Sequence, residues 1–314
     1  MLSLLGGIFL GWSLGANDAA NVFGSAVSSR MLKFWTGAIL ASVFVLLGAL
    51  FEGEAGIETY KGLTQMTLDL AVISSVAAAI TVTLMTLLGL PVSTSQAAVG
   101  AILGTGILNR QLNVAGLGKV VVCWFGTPVG GLIFAVLVYK ILAVLYNRHN
   151  TNVFQSDIGL RLCLIGAGSY GAYTLGANNV ANVTGVFVGA GMLTVFSAAL
   201  IGGLSIGFGI MSFSRRVMET VGKRLVKLDA FSALVVVLAE AMTVHFYTFI
   251  GVPVSTSQAV VGAVLGVGII KGVNTIRRQT LVNILCGWFL TPVVACFLAL
   301  AIHTATHLHY VPSP

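Results

Sequence analysis

The heptapeptide Pro-Val-Ser-Thr-Ser-Gln-Ala stands twice in this chain, at 91–97 and at 253–259, each time inside an apolar run too long for one helix. Two further motifs recur in the same order. GANDAAN at 15–21 matches GANNVAN at 176–182, and WFGTPV at 124–129 matches WFLTPV at 288–293. Offsets of 161, 162 and 164 residues mark an internal duplication. Its seam lies in the most polar connector, 146–158, which makes residues 1–150 one repeat and residues 151–314 the other.

The apolar runs decide where such copies can fold. With 57% hydrophobic and only 8% charged residues, the chain lacks the polar groups to cover a water-exposed surface. Soluble domains carry about a quarter charged residues, and a bilayer removes the need for them. The net charge of +7 does not point to nucleic acid, because the basic residues sit in short loops between the runs. The first run has no basic n-region and carries Asn17, Asp18 and Asn21, so it reads as a membrane element and not as a signal peptide. Cys123, Cys163, Cys286 and Cys296 lie in apolar segments without C-x-x-C spacing, which predicts free buried thiols.

A crossing helix needs roughly 20 apolar residues. That predicts spans near 2–27, 34–51, 118–145, 159–190, 192–211 and 279–302. The runs 68–108 and 230–270 are broken in the middle and predict helical hairpins with PVSTSQ at their tips. Placed on this topology, thirteen basic residues fall on one side and only Lys61, Arg110 and Lys119 on the side of the N-terminus. The positive-inside rule then puts both termini outside the cytoplasm. Three crossings per half is an odd number, so the second half enters upside down. The expected fold is an all-α polytopic membrane protein of two inverted-topology repeats. Broken helices and re-entrant hairpins meet near the midplane, with about 10–12 membrane helical elements, a secondary-transporter architecture.

The motifs carry oxygen and amide chemistry at membrane depth. Ser93 or Ser95, and Ser255 or Ser257, suit the N-cap of the helix that follows each tip. Free N–H groups at such an N-terminus attract an anion, and the neighbouring hydroxyls add donors. Asn17, Asp18 and Asn21, with Asn178, Asn179 and Asn182, bring five amides and one carboxylate into apolar spans. Such a group suits a hard monovalent cation. Neither motif holds lysine or arginine, so an anion bound here needs co-bound cations, and mutual dependence of that kind is the basis of symport. No nucleotide loop or H-E-x-x-H motif is present, and no nucleophile–base pair repeats at the site, which speaks against a pump or an enzyme.

The paired GANDAAN/GANNVAN segments and the paired PVSTSQ tips resemble the inorganic phosphate transporter family, the sodium- or proton-coupled phosphate permeases. The resemblance covers both halves. It implies inorganic phosphate as substrate, sodium or protons as driving ion, a homodimer and no organic cofactor. Two departures bear on the ion. Asn179 stands where many members have Asp, and Gln96 and Gln258 stand where many have His, which favours sodium over protons. By resemblance, Asn17, Asp18, Ser93, Thr94, Ser95, Ser255, Thr256 and Ser257 contact phosphate, Asp18 through a protonated phosphate oxygen. Sodium falls to Asp18, Asn21, Gln96, Asn178, Asn179, Asn182 and Gln258. The expected function is sodium-coupled phosphate uptake across the cell membrane by alternating access. Sulfate as cargo and proton coupling are the alternatives. Glu240 lies at membrane depth where the first half has Ala78, and His303, His307 and His309 form a wet cluster near the C-terminus.

Overall fold

The computed structural model describes residues 2–87, 92–109, 112–148, 153–224, 228–272 and 278–308. Eleven α-helices account for nearly all of them: α1 (Leu5–Ser28), α2 (Phe34–Glu52), α3 (Glu54–Lys61), α4 (Leu68–Leu87), α5 (Thr94–Asn109), α6 (Val114–Arg148), α7 (Val153–Gly189), α8 (Val195–Arg224), α9 (Ala230–Phe249), α10 (Thr256–Lys271) and α11 (Arg278–Leu308). Six are long and apolar enough to cross a membrane. The outward faces of α6 and α11 carry exposed Phe125, Val129, Ile133, Phe289, Val293 and Phe297, a surface suited to lipid and not to water. The chain is a polytopic membrane protein.

Repeated sequence makes reciprocal contacts. A methyl group on Gly15 of α1 would lie 2.0 Å from the carbonyl oxygen of Ile206 on α8, and one on Gly176 of α7 would lie 1.9 Å from that of Val45 on α2. Gly48 meets Tyr173, and Gly209 meets Trp12, in the same way. Each pair repeats the other at the motif offset. Glycine is required here because backbone meets backbone, the small-residue contact that holds membrane helices together. The flanking helices follow suit, with Gly100 of α5 against the Pro292 carbonyl on α11 and Gly262 of α10 against the Pro128 carbonyl on α6.

Inversion shows in the direction of equivalent helices. On α1 and α7, Gly7 meets Val183 and Phe187, while Gly171 meets Val22 and Gly168 meets Phe23. Contacts pairing rising with falling numbers mean that α1 and α7, which carry the matched motifs, run antiparallel. The central bundle is α1, α2, α7 and α8; α4, α5 and α11 pack on one flank and α6, α9 and α10 on the other.

Both hairpins return to the side they leave. Asn113 N–H donates to Leu63 C=O at 2.9 Å, which ties the segment after α5 to the one before α4. The ammonium of Lys271 pairs with Asp229, which ties the end of α10 to the start of α9. Burial alone would push the Asp229 carboxyl up, but hydrogen bonds from Lys271 and from the backbone and hydroxyl of Ser232 outweigh it and hold the group below its ordinary range.

Several expectations change in detail. The arms α4 and α9 have 20 residues each, a full membrane thickness, so each tip folds back towards the middle instead of stopping there. The helix α3 lies in what reads as an acidic loop, because Ile57 and Tyr60 bury one face of it. Arg215, Arg216 and Arg224 belong to an extended α8 and not to a loop. Cys163 and Cys286 are exposed on the apolar surface, not buried, while all four thiols are free. Pro91, residues 149–152 of the seam and His309 lie outside the described residues; among those described, no His, Cys, Asp and Glu group suits a metal ion.

Candidate functional site

The two tips meet each other in the centre of the molecule. Ser93 accepts the Gln96 N–H at 3.3 Å, and Ser255 accepts the Gln258 N–H at 3.4 Å, so the first hydroxyl of each cluster caps the helix behind it. The third hydroxyl of each reaches across. Ser95 donates to the Val254 carbonyl at 2.9 Å, and Ser257 donates to the Val92 carbonyl at 3.4 Å. These are the same contact made from opposite sides.

The amide motifs of α1 and α7 flank the tips. Thr94 donates to Asp18 Oδ2 at 3.2 Å, and Asn21 Nδ2 donates to Thr256 at 3.2 Å. On the other side Asn178 brackets the peptide of Val254, donating to its carbonyl at 2.8 Å and accepting its N–H at 3.0 Å. Asn182 Nδ2 donates to Ser95 at 3.0 Å and to Asn179 at 2.7 Å. The sequence-predicted residues therefore form one cluster from four helices and two tips. Asn17 is the outlier: its amide bonds Thr86 on α4 at 3.0 Å and leaves the Val92 peptide unbracketed.

One site residue has no sequence signal of the same kind. Tyr60 of α3 is 1% exposed and donates to Asn182 Oδ1 at 2.5 Å. It has no copy in the second half, so the duplication does not reveal it. Its only trace is the apolar i, i+3 spacing with Ile57.

Two properties define what this cluster can bind. First, Gln96 Oε1, Gln258 Oε1 and Asn179 Nδ2 are buried without a hydrogen-bond partner. Buried polar atoms are normally satisfied, and two symmetry-related amide oxygens are of the donor type that suits a hard cation. Second, no lysine or arginine is buried among the described residues, while Asp18 is 2% exposed. The only formal charge in the cluster is negative.

Among the described residues the cluster is also buried more deeply on one side than on the other. Asn178, Asn182 and Ser95 are between 0% and 2% exposed, whereas their counterparts Asn17, Asn21 and Ser257 are only partly buried. The more deeply buried, closed side is the one bearing α3. There Thr59 donates to the Gly251 carbonyl, Lys119 to the Ile250 carbonyl, and His245 bonds Glu52.

A polytopic helical protein with antiparallel equivalent helices and a central polar cluster at membrane depth has the build of a membrane transporter. Sequence comparison places it more closely. The phosphate transporter family profile matches residues 14–160 and again 147–299, and the chain belongs to that family. A protein of Methanocaldococcus jannaschii, whose given name is that of a phosphate permease, is 29% identical over 302 residues, 96% of each chain. A sulfate permease of Bacillus subtilis is 30% identical over 308 residues, 96% of this chain and 85% of its own. A solved structure described as the sodium-dependent phosphate transporter superposes with a TM-score of 0.86 at 23% identity, covering 98% of both chains, and shares the fold.

Proposed function

We propose that this protein is a sodium-coupled symporter that takes up inorganic phosphate by alternating access. The observation that carries the reading is the charge of the site: an oxyanion pocket between two capped tips contains one carboxylate and no buried cationic side chain among the described residues. A phosphate here needs positive charge from elsewhere. Sodium at Asp18, Asn21, Asn178, Asn179, Asn182 and the free oxygens of Gln96 and Gln258 supplies it, so each ion raises the affinity of the other. Phosphate then takes the hydroxyls of Thr94, Thr256 and Ser257 with Asn17, and a protonated phosphate oxygen donates to Asp18. Ser95 sits behind them holding the tips together.

Alternating access follows from the asymmetry of closure. The repeats 1–150 and 151–314 place equivalent residues on opposite faces of the site. Exchanging the bracket that Asn178 makes on Val254 for the same bracket by Asn17 on Val92 would close the open face and open the α3 face. With both termini outside the cytoplasm, the open face is cytoplasmic, and the protein works as a homodimer in the cell membrane.

The Bacillus relative makes sulfate the second reading, and Asp18 separates the two: protonated phosphate can donate to it and sulfate cannot. Purified protein in proteoliposomes should accumulate radiolabelled phosphate when a sodium gradient is imposed, with excess sulfate competing weakly. Uptake indifferent to sodium overturns the coupling, and stronger competition by sulfate than by unlabelled phosphate reassigns the cargo.

A further inference from the structure

Glu240, on α9, is 0% exposed, and neither carboxylate oxygen has a hydrogen-bond partner. Among the described residues it is the one buried acidic group outside the symmetric cluster, and its counterpart Ala78 cannot share its role. A methyl group on Gly171 of α7 would lie 3.6 Å from Glu240 Oε2, and the same position meets Val22 and Ala241. The surroundings are apolar, and Asp18 lies within electrostatic reach. A hard metal cation needs several oxygens around it, which these neighbours do not offer. A proton needs only the carboxylate itself. An isolated ionised carboxylate in such a place is too costly to persist, so this group cycles only by taking up a proton.

A route to it exists on the α3 side. Glu52, at the end of α2, keeps a third of its side chain exposed and bonds His245 Nε2 at 2.7 Å. His245 Nδ1 bonds the Tyr170 hydroxyl at 2.7 Å, and Tyr173 donates to the other Glu52 oxygen at 2.8 Å. Tyr170 immediately precedes Gly171, and it lies within electrostatic reach of both Glu52 and Glu240. Asp18 from α1 and Tyr170 from α7 bear on Glu240 directly, whereas Tyr173 from α7, Glu52 from α2 and His245 from α9 itself bear on it only through their bonds to one another and to Tyr170. On α6 and α10, which also pack against α9, no titratable side chain is buried among the described residues.

We infer that Glu240 binds a proton in each transport cycle, loaded from the α3 face through Glu52, His245 and Tyr170, and carries it across together with phosphate and sodium. In one transfer, a proton bound at Glu52 moves to the imidazole and the imidazole yields its other N–H proton to the tyrosine oxygen; the tyrosine hydroxyl, which bonds His245 and not Glu240 in this structure, then turns to release its own proton to the Glu240 carboxylate. One proton enters, one arrives, and the relay groups end with the charge they began with. Release to the opposite face follows when that face opens.

This rests on the symport reading, and one assay separates the two. Proteoliposomes hold equal sodium on both sides, the membrane potential is clamped with potassium and valinomycin, and the interior is one pH unit more alkaline. For each coupled proton, a one-unit gradient is worth about 1.4 kcal/mol, about tenfold in accumulation ratio. Wild type and E240Q experience the same titration of phosphate itself, so their difference isolates Glu240. E240Q should accumulate about tenfold less phosphate than wild type under the pH gradient, and the two should converge when only a sodium gradient drives uptake. H245N should slow the approach to the wild-type plateau without lowering it, which also tests the idea if E240Q fails to fold. Equal pH-driven accumulation in E240Q and wild type, or an unchanged rate in H245N, overturns the proposal. Absence of sodium-driven phosphate uptake in wild type instead overturns the symport reading.

Discussion

Asp18 and Asn179 occupy equivalent positions, yet only one carries charge, so the symmetric fold holds an asymmetric site. Removing that charge should be decisive. Asp18→Asn keeps the shape and the acceptor for Thr94 but makes the cluster neutral, so a sodium ion bound there as proposed would lose its only fixed counter-charge. Sodium stimulation of phosphate uptake should fall at least tenfold, read as the ratio of initial rates with and without sodium. Retained stimulation would remove Asp18 from the cation site. Tyr60→Phe should act differently, because it deletes only a hydroxyl on the α3 side, with its 2.5 Å bond to Asn182 and a longer one of 3.5 Å to the Ser95 carbonyl. A buried hydrogen bond contributes about 1 kcal/mol, so the sodium concentration for half-maximal uptake should rise about five-fold while the sodium ratio persists. The duplicated residues were legible from the sequence because each motif vouches for the other. Tyr60 and the bonding of Asn17 to Thr86 were not: the first has no copy, and the second depends on which face happens to be closed.

Among the elements, the central bundle depends on backbone contact at Gly15, Gly48, Gly176 and Gly209. Gly176→Ala places a methyl 1.9 Å from a carbonyl oxygen of α2, and no side chain can yield, so the helices must part. Overpacking of this kind costs about 1–3 kcal/mol, and the melting temperature in detergent should fall by several degrees. Gly166→Ala on the same helix meets nothing within 4 Å and should leave it unchanged. The second hairpin offers a pH test. The Asp229 carboxyl is held below its ordinary range, so its bond to Lys271 supports the folded state fully above that range and is lost as pH falls through and below it. Thermal stability of the wild type should therefore drop more steeply below about pH 4 than that of Asp229→Asn. Both hairpins could be read from their broken apolar runs. Their true depth could not, since a sequence marks where a helix breaks but not where the following segment folds back.

For the whole molecule, inversion links topology to mechanism. Antiparallel α1 and α7 put Asn17 and Asn178 on opposite faces of one site, so on the proposed reading a single exchange of brackets would reverse access without any new fold. That exchange would move ions inward only if the α3 side faces out, the orientation that the loop charges predict. The prediction concerns labelling in intact cells. Cys163 and Cys286 are exposed, so a variant lacking all four native cysteines is the starting point. Lys61→Cys lies on the α3 side and Arg30→Cys on the other, in the turn after α1 where it adopts φ 62°. A membrane-impermeant maleimide should label position 61 in intact cells and position 30 only after permeabilisation. The reverse pattern would turn the molecule over, make the open face of the site extracytoplasmic, and deliver protons to the Glu52 relay from the cytoplasm, where they could not help drive uptake.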